Sequence, residues 1–202
     1  MRKRTLAATA AALALVLSAC GDGDTGDEEL QESGQEGSAG GKGSAAEPFG
    51  PGCSDFPREG PGSIEEMADQ PFASAIDESP VLGNLADALD QAGLSEDMDT
   101  SEGLTVFAPT DDAFDMYPDE EVEDLLEDPD ALAYVLNNHV VAGEAEPGEL
   151  DDGMFDALNG GQVRVSESGG EFTVNDYAPV VCANIQTANA TVHAVSMLVI
   201  PS

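Results

Sequence analysis

The chain has 202 residues, 41 of them acidic and 6 basic, for a formal charge of −35 at pH 7. A surface of that sign repels phosphate backbones and anionic headgroups, which excludes nucleic acid as a partner. Hydrophobic residues make up 41% of the chain, enough for the core of one domain.

Arg2, Lys3 and Arg4 precede an apolar stretch from Leu6 to Leu17, which closes on Leu17-Ser18-Ala19-Cys20. A basic start, a short apolar core and small residues at the cut predict a secretory signal over 1–19. The stretch is short for a bilayer core of ~30 Å, so an uncleaved anchor or a buried helix is the weaker reading. Cys20 directly after Leu-Ser-Ala resembles a bacterial lipobox, whose thiol receives a diacylglyceryl group. Two acyl chains hold a protein at a membrane where one binds only marginally. The expected site is therefore lipidation at Cys20. Arg2, Lys3 and Arg4 leave with the signal, so the formal charge moves from −35 to −38. The acids are spread along the chain rather than gathered. That favours solubility in salty surroundings over a dedicated cation site.

Residues 20–50 are rich in Gly, Ser, Asp, Glu and Gln, with Leu30 and Phe49 as isolated large apolar residues. Such a segment cannot bury enough surface to offset chain entropy and predicts a disordered tether. Its r.m.s. span as a Gly-rich coil is ~30 Å.

Residues 51–202 are expected to form a single domain. Leu82, Leu85, Ala86 and Leu89 recur at helical spacing, with Gly93 as the stop. Leu104 to Phe107 reads as a short strand stopped by Pro109. Thr110 follows at a helix N-cap, with Asp111 and Asp112 in the first turn. Val122, Leu125 and Leu126 give one face of a second, acidic helix. Asp128-Pro129 opens a third helix, whose apolar stripe is Leu132, Val135, Leu136 and His139. Beyond Val140 the pattern turns to short strands: 162–166, 171–175, 180–182 and 191–200. Gly169-Gly170 between two of these predicts a hairpin.

Cys53 and Cys182 are the other cysteines of an exported chain, and an even pair outside the cytoplasm suggests a disulfide. Two free thiols or a two-Cys metal site are the alternatives at this point. Catalytic signals are absent from the sequence: no Ser lies in a nucleophile elbow, and no cofactor motif is present. His139 sits on an apolar stripe, where a hydrogen-bonded core histidine outweighs a ligand. Asp97-x-Asp99-x-Ser101 opens like a calcium loop but fails, with Glu102 where Gly is needed and Ala108 where Glu is needed. No metal or cofactor is expected. Asn189-Ala-Thr191 matches a glycosylation acceptor, read here as a turn.

Two segments carry more than their local structure. Leu104-Thr-Val-Phe-Ala-Pro-Thr-Asp-Asp-Ala-Phe114 and Asn189-Ala-Thr-Val-His-Ala-Val-Ser-Met-Leu-Val-Ile-Pro201, in this order, resemble the two signature boxes of the fasciclin domain. Gly50-Pro-Gly-Cys53, Val180-Val-Cys182 and Thr187-Ala-Asn-Ala-Thr-Val192 resemble the secreted and lipid-anchored fasciclin-domain antigens of mycobacteria. The resemblance implies an α+β fold, a wedge-like β-sandwich of about seven strands with several packed helices. It implies a disulfide between Cys53 and Cys182 and a mainly structural His193. It also implies an actinobacterial, extracytoplasmic interaction and adhesion module rather than an enzyme. Expected core residues are Phe107, Phe114, Val135, Leu136, Val192 and Leu198. The expected partner is an envelope or matrix protein or glycan, bound by a monomer held to the cell membrane through Cys20. The alternative is an envelope solute- or cation-binding lipoprotein with an acidic surface. Two departures bear on this. Asn138-His139 stands where many relatives have Tyr-His, a neighbourhood linked to integrin adhesion in animals. Ala194-Val195-Ser196 stands where Val-Ile-Asp is common.

Overall fold

A computed structural model of the chain describes residues 47–145, 148, 150 and 153–201. Cys20, the signal and most of the tether lie outside these residues. The domain opens with a 3-10 turn over Pro51–Asp55 and four helices: α1 Ile64–Met67, α2 Phe72–Asp77, α3 Gly83–Ala92 and α4 Ser95–Thr100. Strand β1, Leu104–Pro109, leads into α5 Asp111–Asp115, α6 Asp119–Glu127 and α7 Pro129–Asn138. Six strands follow: β2 Val140–Ala142, β3 Met154–Asp156, β4 Gln162–Ser168, β5 Glu171–Val174, β6 Ala178–Gln186 and β7 Ala190–Val195.

The seven strands form one mixed sheet in the order β2-β1-β7-β6-β5-β4-β3, so the expected α+β class holds. Only β1 and β7 run parallel, in the register Leu104↔Ala190 through Pro109↔Val195. A bridge between Val141 and Ala157, with Leu158 N–H donating to Val140 O at 2.8 Å, brings the two ends of the sheet together. That contact occupies edges which would otherwise invite strand addition.

β1 and β7 are buried along their whole length because each is covered on both faces. Leu104, Val106, Ala108, Val192 and Ala194 pack into a core shared with the helices, including Leu85, Leu89, Leu132 and Leu136. Phe107 and Val195 point the other way, into a second core with Val163, Val165 and Val174 from the curled part of the sheet. The two signature segments are thus the central pair of strands, shared by both cores. Every side chain on either strand has a packing role.

Local signals explain the helix ends. Asp128 accepts from the amides of Asp130 and Ala131 at 3.2 and 3.1 Å, capping α7 as expected, with Pro129 in its first turn. Gly93 closes α3 in the left-handed conformation at φ 68°. Gly169 and Gly170 turn the β4–β5 hairpin at φ 67° and 91°.

Several expectations need correction. Val135 is half-buried rather than core, since the buried stripe of α7 runs through Leu132, Leu136 and Asn138. The acidic helix α6 has no fully buried residue; Val122, Leu125 and Leu126 are only partly covered. Pro109 ends β1 inside the strand, and Thr110 takes the N-cap position of α5 without a side-chain cap bond. The final strand stops at Val195, because the backbone of Val199 bonds to side chains of the α7 end instead. Helices α1, α2 and α4 and strand β3 are too short to leave a periodic signal. Phe49, assigned to the tether by composition, pairs with Ala183 through two backbone bonds of 3.1 and 2.7 Å, so the folded unit reaches past residue 51. Gly50 beside it has φ 130°, and a Cβ there would lie 2.3 Å from Val181 O. Only glycine fits.

Candidate functional site

The chemistry-bearing side chains lie in the scaffold. His139 is fully buried at the end of α7. Its Nδ1–H donates to Val135 O at 2.9 Å, and its Nε2 accepts from Val199 N–H at 2.8 Å. Its own carbonyl accepts from Phe107 N–H at 2.8 Å. Those bonds require the neutral imidazole. Burial pushes its pKa down to about 4, against a smaller opposing effect of the Val135 bond. Asn138 completes the clamp, donating Nδ2–H to Val199 O at 2.9 Å and accepting from Asn159 at 3.1 Å. Adjacent side chains thus hold both backbone groups of Val199.

His193 lies on β7 opposite Phe107, stacked on its ring with centroids 5.6 Å apart. Its Nδ1 accepts from Asn184 N–H at 3.2 Å, which leaves the proton of the neutral ring on Nε2. That atom is buried with no hydrogen-bond partner among the described residues. Burial also pushes this pKa down to about 4. Cys53 and Cys182 are joined, with Cα atoms 4.8 Å apart. The bond ties the opening 3-10 turn to the middle of β6.

Asn189 is a hub rather than an exposed acceptor. Its Nδ2 donates to Met98, Asp99 and Ser101 carbonyls at 2.7, 3.3 and 2.6 Å, and its Oδ1 accepts from Phe72 N–H at 2.8 Å. One side chain therefore satisfies the start of α2 and the end of α4 together. Asn189→Ala should cost about 2–4 kcal/mol, because it strands several part-buried polar groups at once. A urea unfolding curve with an unchanged slope reads that loss directly. A midpoint equal to the parent's would contradict the hub role.

Asp99 is similarly engaged. Its carboxylate accepts from Ala73 N–H, Ser74 N–H and Ser74 Oγ–H at 2.7, 3.1 and 2.7 Å, capping α2. Of the acids that open like a calcium loop, Asp99 serves a helix end and Asp97 lies in the first turn of α4.

What faces solvent is of two kinds. Met116, Tyr134, Met154, Leu158, Tyr177 and Ile200 are exposed apolar side chains on several elements. Tyr117 and Tyr177 both donate to Leu198 O at 3.3 Å, fixing the last segment of the chain. Between α3, α5 and α6 lies a cleft of about 280 Å³. Phe114, Val122 and Leu126 give it an apolar floor, while Asp87, Asp115, Asp119 and Glu123 stand along its rim. Next to it, Asp111 caps α3 through Asn84 N–H at 2.8 Å. Burial raises the Asp111 pKa, and the charges of Asp112, Asp115 and Asp87 raise it further against the Asn84 bond. The sequence showed the three helices of this cleft and their acids. It did not show that the apolar face of α6 stays half-covered, since that depends on how α6 sits on α7 and leaves a cleft towards α3 and α5.

The fasciclin domain model matches residues 80–201. The cell surface glycolipoprotein MPB83 of Mycobacterium bovis is 37% identical over 165 residues, covering 78% of this chain and 74% of that protein. The immunogenic protein MPB70 of the same species is 33% identical over 165 residues, covering 78% and 84%. Among solved structures, a FAS1 domain pair from the insect cell adhesion molecule Fasciclin I matches with a TM-score of 0.50 at 12% identity. The match covers 66% of this chain and 51% of that one, and shows the fold.

Proposed function

The chain belongs to the fasciclin domain family, and on that footing we propose that it is an extracytoplasmic interaction module. In this reading residues 1–19 are a signal peptide and Cys20 carries the lipid. The segment from Cys20 to just before Phe49 then holds the domain away from the cell membrane, where it binds an envelope or matrix protein or glycan. One observation carries the reading. Both imidazoles and the two cysteines Cys53 and Cys182 are used inside the scaffold, while carboxylates and exposed apolar side chains make up the candidate surface. A surface of that composition offers charge and apolar contact to a partner. The name of one mycobacterial relative, cell surface glycolipoprotein, agrees with a location outside the cytoplasm.

Two experiments separate the parts of the proposal. Fluorescently labelled chain should bind isolated envelope fragments saturably and be displaced by unlabelled chain; binding that rises linearly without displacement would overturn the module. The anchor is tested by fractionation. Cys20→Ala should leave the membrane fraction or accumulate as an uncleaved precursor, and processing of the parent should be blocked by globomycin. A mature-sized Cys20→Ala protein still at the membrane would refute lipidation there.

A further inference from the structure

We propose that the groove between α3, α5 and α6 docks a Lys/Arg-rich amphipathic segment of a protein partner. This deepens the reading of the chain as an interaction module and rests on it. The groove floor is what α6 leaves unfinished. Val122 and Leu126 are partly covered by the core, Phe114 closes the floor from α5, and no residue of α6 is fully buried. A helix with its apolar face half-covered gains stability when a second apolar surface completes it. At about 280 Å³ the cleft lies at the small end of ligand pockets, typically ~300–1,000 Å³. It accommodates side chains rather than a cofactor.

Charge selects among apolar partners. Asp87, Asp115, Asp119 and Glu123 line the rim with no lysine or arginine among the lining residues. Two of these charges reach Asp111, whose carboxyl is raised above its ordinary range first by burial and further by Asp115 and Asp87. A neutral apolar ligand would leave those charges crowded, whereas one with cations flanking an apolar ridge relieves them and steers its own approach. A bare ion would satisfy only part of this. Among the described residues no three His, Cys, Asp or Glu are placed to hold a metal, and an apolar floor offers an ion nothing. The partner therefore carries spaced positive charges along one side of an apolar stripe, as a basic amphipathic helix does.

The test uses the purified full chain and a labelled synthetic amphipathic helix of leucine and lysine, followed by fluorescence anisotropy. Asp115→Asn with Glu123→Gln should weaken binding about ten-fold or more. Glu65→Gln with Glu171→Gln removes equal charge elsewhere and should change it by less than about two-fold. Val122→Asn should weaken binding as strongly as the carboxylate pair. A lysine–serine peptide of equal charge should bind about ten-fold more weakly, and raising salt should weaken the leucine–lysine peptide. Equal losses in the two charge pairs would reduce the effect to bulk charge and overturn the groove. So would tight binding of the lysine–serine peptide, or displacement by millimolar calcium alone. Envelope binding that stays saturable while every groove variant behaves as the parent sinks the groove and leaves the module standing.

Discussion

His139→Ala should lower the unfolding free energy by about 3–5 kcal/mol, the larger of two effects expected from single side chains in the scaffold. The substitution empties a fully buried volume between α7, β1 and the last segment. It also strands the Val199 amide, which had donated at 2.8 Å, and the Val135 carbonyl, which had accepted at 2.9 Å. Cavity and unpaired groups add, because the surrounding helix and strand are held by their own ladders and cannot close the gap. Loss of any binding should follow unfolding and be absent where the variant is still folded. The same residue gives a pH signature. Its folded pKa, about 4, lies below the ordinary 6.5, so between those values the unfolded chain binds the proton and the folded one does not. Stability tied to this histidine is present above pH 6.5 and is lost as pH falls towards 4, by about 3 kcal/mol at the end of that window. His193, depressed to about 4 by burial as well, acts in the same direction. The gap between parent and His139→Ala should therefore narrow on acidification. A gap that is constant across the window would mean the ring is accessible to protons in the folded state.

Reduction of the bond between Cys53 and Cys182 should cost about 3–5 kcal/mol, the upper end being the chain-entropy value for a long loop. The pair spans 129 residues, so the closed loop holds nearly the whole domain. For a domain of this size that corresponds to a fall of ~10 °C in the thermal midpoint. The effect has a local part. Phe49, Gly50 and the 3-10 turn lie against Val181 and Ala183, and the bond holds them there. Freed thiols should therefore be accompanied by faster amide exchange at Phe49 and Ala183 before the rest of the sheet opens. A thermal midpoint unmoved by complete reduction, checked by thiol labelling, would show that the Phe49 pairing and the core suffice.

The sequence made the long elements and the family legible for physical reasons. α3 and α7 have several turns, a stop or a cap, and an apolar stripe, and the structure places both close to their expected limits. The two boxes stood out because strands buried on both faces are mostly apolar, and among the described strands only these two are buried at every position. The shortest elements, such as α1 and β3, gave nothing to read because one turn or three residues hold no period. Val135 looked like core because spacing fixes a face but not its width; Asn138 took the buried place through its bond to Val199. Asn138, which stands where the resemblance implied a tyrosine, serves as a clamp on Val199. The groove was the least legible feature. Its carboxylates belong to helices separated in sequence and look like any others in so acidic a chain.

The central claim is that the signature strands are scaffold and that binding occurs on the exposed faces. Hydrogen–deuterium exchange of the full chain, alone and saturated on isolated envelope fragments, tests it most directly. The expected result is new protection confined to exposed helices and loops, with residues 104–109 and 190–195 equally slow in both states. Altered exchange within those two strands, with every exposed face unchanged, would contradict it.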